Sequence, residues 1–195
     1  MKTMIRHMLE IAAIGIVVAG GINISAAPVR VPDLNGQLVD PLEHTTAIKA
    51  TVVLFISTDC PVSNRYAPDV RRMYDTFSKA GVRFWLVYPN PADTTADIRD
   101  HLKSFSYPGT AVRDVKHDLA KRAGATITPE AVVFDASGRL AYRGRIDDRY
   151  SAVGVERATA TKQDLRDAIA ATIAGTPVTN RFTQAVGCYI ADFAR

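Results

Sequence analysis

Cysteine is scarce in this 195-residue sequence, which holds two, Cys60 and Cys188. Neither lies near the N-terminus, and that excludes a lipid-anchored leader. The fourth residue of Cys60-Pro61-Val62-Ser63 is a serine, so no C-x-x-C disulfide can close locally. Lysine and arginine are scattered without an aromatic-interleaved stripe, and the net charge of +4 is modest, which leaves no nucleic-acid footprint. Internal repeats and low-complexity segments are absent, and no motif asks for a bound cofactor.

What is present begins with Lys2 and Arg6 ahead of an apolar stretch from Ile11 to Ile24, ending in Ser25, Ala26 and Ala27. This pattern predicts a secretory signal peptide over residues 1–27, cleaved between Ser25 and Ala27. The stretch is shorter than the ~20 residues that span a bilayer, so an uncleaved membrane anchor is the second reading. Hydrophobic content of 47% and charged content of 23% are ordinary globular values, and residues 28–175 suit one α/β domain followed by a tail, 176–195. Export leaves both cysteines where a disulfide can persist.

The chain is organised around Thr51–Pro68. Val52, Val53, Phe55 and Ile56 make a continuous apolar run, the pattern of a strand covered on both faces. Pro61 suits a first helical turn, and Val62, Tyr66, Val70, Met73, Tyr74 and Phe77 continue a helical period to about Ala80 and Gly81. Cys60 therefore sits at or beside the N-cap, where unpaired N–H groups and the helix dipole favour a thiolate. Ser63 can donate to that sulfur, whereas the neighbouring carboxylate of Asp59 opposes a second negative charge. The plain alternative is an inert, buried Cys60.

Around this stretch the pattern predicts a hairpin turning at Asn35-Gly36, a strand at Val82–Tyr88, and a helix capped by Asp93 or Thr94 that carries His101. A strand at Thr110–Arg113 and a helix over Val115–Ala123 containing His117 follow. Thr128-Pro129-Glu130 then precedes the strand Ala131–Phe134, which makes the Thr128–Pro129 bond a candidate for cis. Ala136-Ser137-Gly138 turns the chain into a strand over Arg139–Ile146, and after a charged loop Thr161 is predicted to cap a helix ending at Gly175.

This element order, with Phe55-Ile56-Ser57-Thr58-Asp59-Cys60-Pro61, Thr128-Pro129-Glu130 and the turn at Ala136-Ser137-Gly138, resembles the thioredoxin-like fold of the redoxin group. That group joins the alkyl hydroperoxide reductase and thiol-specific antioxidant proteins to the exported TlpA-type oxidoreductases. The resemblance implies a central mixed sheet flanked by helices, with Cys60 as nucleophile facing a cis Pro129 and Thr128 offering its backbone to a thiol substrate. It implies a protein thiol, a disulfide or a peroxide as substrate, and a thiol reductant as partner. Two departures stand out: Ser63 replaces the second cysteine of thioredoxins, and Val53 replaces the proline of the peroxidase pattern P-x-x-x-T/S-x-x-C, in which Ser57 fits the hydroxyl position.

Arg143 or Arg145 is a candidate to favour the thiolate, or instead to pair with Asp147 and Asp148; Glu130 is a candidate proton acceptor or a solvated turn residue. A second reading is copper binding by Cys60, Cys188, His101 and His117, although the histidines lie on separate predicted helices. A third is a redox-inactive binding module. The apolar tail residues Ala185, Val186, Tyr189, Ile190 and Phe193, with Gly187 permitting close approach, predict a docked tail that brings Cys188 to Cys60 as its resolving thiol. A bridge between them needs Cα atoms within about 7 Å.

Overall fold

The computed structural model describes residues 28–43 and 45–190. The expected leader, His44 and Phe193 fall outside the described residues. Among those residues no helix is long and apolar enough to cross a membrane.

A short hairpin, β1 (Val31–Pro32) and β2 (Leu38–Val39), opens the described chain. Its turn is longer than the two residues expected: Asp33 pairs with Gln37, Gly36 adopts a left-handed φ of 81°, and the Asp33 carboxylate caps Asn35 and Gln37. Such a loop takes a left-handed glycine at its last position, which Asn35-Gly36 also satisfies. There follow β3 (Ala50–Phe55), α1 (Pro61–Phe77) with a 3-10 turn to Ala80, β4 (Val82–Tyr88), α2 (Thr95–Phe105) and β5 (Thr110–Arg113). Then come α3 (Asp118–Ala123), β6 (Ile127–Thr128), β7 (Glu130–Asp135), β8 (Leu140–Gly144), β9 (Tyr150–Ala152), β10 (Val155–Glu156), α4 (Asp164–Ala174) and β11 (Cys188–Tyr189).

Five strands form one mixed sheet in the order β5-β4-β3-β7-β8, with β3 parallel to β4 and antiparallel to β7. Because β3 lies at the centre, both its faces are covered. Val52, Leu54 and Ile56 pack toward α1 and α4, while Val53 and Phe55 pack toward α3. That two-sided cover is why the segment reads as an unbroken apolar run. The strand whose end leads to Cys60 is thus the central strand of the sheet.

Three local expectations change. Thr94 caps α2 through a reciprocal box with Asp97, but Thr161 does not cap α4; its N–H and hydroxyl bind Asp148 instead, and Gln163 stands at the N-cap. His117 is the left-handed residue before α3 rather than part of it. The charged loop after Ile146 contains the β9–β10 hairpin, tied to α1 by Arg65–Glu156 and by Tyr66 packed edge-on to Tyr150. Strands of three and two residues are too short to show an alternating pattern.

Truncating Leu54, 1% exposed at the middle of β3, should cost about 2–5 kcal/mol in chemical denaturation, as buried Leu→Ala changes do. Leu38→Ala, at a side chain 61% exposed, should stay within about 0.5 kcal/mol.

Candidate active site

The chain leaves β3 through Ile56, whose N–H still bonds Val87 O, and reaches Cys60 at the N-cap of α1 in extended conformation (φ −82°, ψ 110°). Pro61 occupies the first helical position, where its missing N–H removes no helical bond. The Cys60 side chain is 0% exposed, and its thiol donates to the Thr128 carbonyl at 3.1 Å. The Thr128–Pro129 bond is cis, so this carbonyl and the proline face the helix start together.

The cover over Cys60 comes from the C-terminal tail. Its upstream part runs beside β8, with Arg143 N–H donating to Arg181 O (2.9 Å), Thr183 N–H to Arg143 O (3.1 Å), and Arg143 and Phe182 in a parallel bridge. Those bonds occupy an edge of the sheet that would otherwise stand open. The tail then crosses to β6, where β11 pairs antiparallel with Cys188 opposite Thr128 and Tyr189 opposite Ile127. Ile190 N–H bonds Thr126 O at 2.9 Å, and Ile190 is buried in the α3 layer. Gly187 lies against the Thr128 carbonyl so closely that a Cβ there would stand 2.0 Å from its oxygen.

Both cysteines are free thiols, and they differ in acidity. Burial opposes a charge on Cys60, but it is outweighed by the Cys188 thiol, the Ser63 N–H and hydroxyl, and the Cys188 N–H, and the Cys60 pKa falls below its ordinary value. Cys188 moves the other way, to about 12, through burial, its bond to Cys60, and the charges of Cys60 and Asp59. Both shifts favour ionisation at Cys60 over Cys188. Ser63 Oγ is buried with no partner among the described residues while Cys60 is protonated, which leaves its proton free for the thiolate.

Several candidates are engaged elsewhere. Arg145 pairs with Asp164 at 2.8 Å, and Arg143 bonds Gly124 O at 2.7 Å and lies 3.5 Å from Glu130. Neither guanidinium is held against the sulfur. Glu130 is no solvated turn residue: it is buried and accepts from the N–H groups of Thr126 and Ile127, so it secures the segment before Pro129. His101 bonds Tyr88 OH and Asn64 Oδ1 with its two ring nitrogens, and His117 Nε2 bonds Pro89 O. The structure therefore does not bring these histidines to the two sulfurs as a ligand set, and the described residues contain no group of three or more His, Cys, Asp or Glu able to hold a metal. Ser57 Oγ donates to Asp59 at 2.5 Å rather than facing the sulfur.

Sequence reasoning missed Asn64 and Tyr107. Asn64, one turn after Cys60, donates to Thr58 O (3.3 Å), and Tyr107 OH donates to Ser63 O (2.6 Å). The i+4 spacing from Cys60 was a usable signal for Asn64; Tyr107 sits in an irregular link with none.

The sequence profile of the AhpC/TSA family matches residues 23–143. The chain belongs to the AhpC/TSA family. Its fold is thioredoxin-like, and several solved structures are similar to it. One is a hypothetical protein from Sinorhizobium meliloti 1021, with 27% identity, 85% of this chain and 91% of that chain covered, and a TM-score of 0.73. Another is an uncharacterized conserved protein from Geobacillus kaustophilus, with 25% identity, 85% and 88% coverage, and a TM-score of 0.72. A secreted disulfide oxidoreductase from Mycobacterium tuberculosis shares the fold at 19% identity, 76% and 96% coverage, and a TM-score of 0.52. No curated protein sequence matches this one.

Two tests probe the site. Gly187→Ala should lift the tail from Thr128, and alkylation of Cys60 followed by mass spectrometry should accelerate by tenfold or more; an unchanged rate would mean that the tail does not cover the sulfur. Ser63→Ala removes a donor to the thiolate, so Cys60 should ionise at higher pH by about one unit, given ~1.5 kcal/mol for a hydrogen bond to a charged group. The pH profile of alkylation reports this directly, and a downward shift would contradict it.

Proposed function

We propose that the chain is an exported thiol oxidoreductase in which Cys60 is the nucleophile and Cys188 the resolving thiol. The observation that carries this is that β11 sets Cys188 opposite Thr128, the residue whose carbonyl accepts from the Cys60 thiol, next to the cis Pro129. The Cys60 thiolate attacks one sulfur of a substrate disulfide; that S–S bond breaks, and the departing sulfur leaves as a thiolate that takes up a proton. Cys188 then loses its proton and attacks Cys60 Sγ, which releases the second substrate thiol. Two electrons have passed to the substrate, and Cys60 and Cys188 are joined. An external thiol reductant restores the pair.

A disulfide suits the site better than a peroxide. Peroxide reduction gains from a hydroxyl and a cation around the attacked oxygen, yet Ser57 is held by Asp59, and Arg143 and Arg145 are held by Glu130 and Asp164. Export is read from the apolar leader. The Mycobacterium tuberculosis protein of the same fold is itself secreted, which agrees with that reading.

Reduced full-length protein incubated with oxidised glutathione should yield a Cys60–Cys188 peptide pair by mass spectrometry. Cys188→Ser should stall as a mixed disulfide on Cys60, and Cys60→Ser should form no adduct. A Cys60 that stays reduced throughout would sink the reading, and faster consumption of hydrogen peroxide than of disulfide would reassign the substrate.

A further inference from the structure

His101 on α2 is 5% exposed, and the thiol chemistry above does not use it. It lies in the layer behind α1, where a leucine would fill the space without any polar demand. Its Nε2 is 2.7 Å from Asn64 Oδ1 and its Nδ1 is 2.8 Å from Tyr88 OH. An amide oxygen can only accept, so Nε2 carries the proton and Nδ1 accepts from the tyrosine. This is the neutral imidazole, and burial lowers the His101 pKa in the same sense. Tyr107 stacks on the ring at 5.4 Å, and Phe105 packs at 4.9 Å.

Each arm of this network ends beside Cys60. Asn64, its carbonyl fixed by His101, turns its Nδ2 to Thr58 O in the loop that enters the cysteine, and Thr58 Oγ1 is anchored on Asp93 at 2.5 Å. Tyr107, its ring fixed on the imidazole, holds Ser63 O through its hydroxyl. Ser63 stands in the first turn after Cys60, its hydroxyl buried without a partner among the described residues, and its N–H and hydroxyl are among the groups that lower the Cys60 pKa. Burying an imidazole, two phenols and an amide is costly unless every member is satisfied, and a satisfied network of this kind is rigid.

We propose that His101 is a positioning residue for Cys60: through Asn64 and Tyr107 it fixes the loop before the cysteine and the first turn after it, and so keeps the Ser63 donors on the sulfur. This rests on Cys60 being the reacting sulfur. It also gives His101 a duty other than metal ligation.

The test is the pH profile of Cys60 alkylation in the full chain, resolved by mass spectrometry, alongside thiolate ultraviolet absorbance. His101→Leu should raise the Cys60 midpoint by about one pH unit, which is about tenfold less thiolate below the midpoint. His101→Gln, whose amide can donate to Asn64 and accept from Tyr88, should recover most of that loss. If His101→Leu does not fold, Tyr107→Phe decides: it deletes only the bond to Ser63 O and should shift the midpoint upward by a smaller amount. A folded His101→Leu with an unshifted midpoint, a Gln variant no better than Leu, or an unshifted Tyr107→Phe overturns the proposal. A native Cys60 with an ordinary thiol midpoint would count against the thiol-exchange reading whatever the variants do, because His101 is judged only by differences between them.

Discussion

The carbonyl of Thr128 is where three distant parts of the chain meet. Cys60 donates its thiol to that oxygen, Gly187 lies in van der Waals contact with it, and β11 pairs with the same residue from the other side. The bond from Thr128 to Pro129 is cis, and the buried Glu130 carboxylate accepts from the N–H groups of Thr126 and Ile127. If this junction moves, the cover over Cys60, the approach of Cys188 and the end of β6 move with it.

The junction also makes the two thiols unequal. Both are partly or wholly removed from water, which alone would raise both. Only Cys60 stands at a helix start, where the N–H and hydroxyl of Ser63 favour its charge, and Cys188 meets the charges of Cys60 and Asp59. The thiol exchange proposed above needs a nucleophile that ionises first and a neighbour that retains its proton. Cys60 has no exposed surface, so access to it depends on the tail, which is held by a two-strand pairing and a few backbone bonds rather than by a helix. Elements with few buried contacts open at low free energy, whereas β3 beneath the cysteine does not.

Two groups of buried polar residues flank the site. Tyr88, His101, Asn64 and Tyr107 on one side, and Glu130 with Arg143 on the other, each hold a backbone segment that borders the sulfur. A larger cavity of about 350 Å³ between α1 and the start of α4, lined by Asp69, Arg72, Asp147 and Arg166, lies apart from them. Its charges are of both signs, and Arg72 and Arg149 are already committed to Asp69.

Elements whose chemistry is local were legible in the sequence. The apolar run of β3, Pro61 after Cys60, Gly81 after the helix, and a helix start at Asp93 or Thr94, which the structure puts at Thr94, each act through bonds within a few residues. The likeness to redoxins followed from these and from Thr128-Pro129, because the spacing of such signals is a property of the chain itself. Interactions between segments far apart were not legible. Arg145 and Glu130 looked available to the sulfur because their nearest charges, Asp164 and Arg143, lie 19 and 13 residues away and are brought to them only by folding. His101 was one candidate for a copper ligand set, but in the fold Tyr88 and Asn64 close on both its nitrogens. Charge and hydrogen-bond capacity are written in the residue type; which group satisfies them is decided by the packing of α1, α2 and the tail around β3.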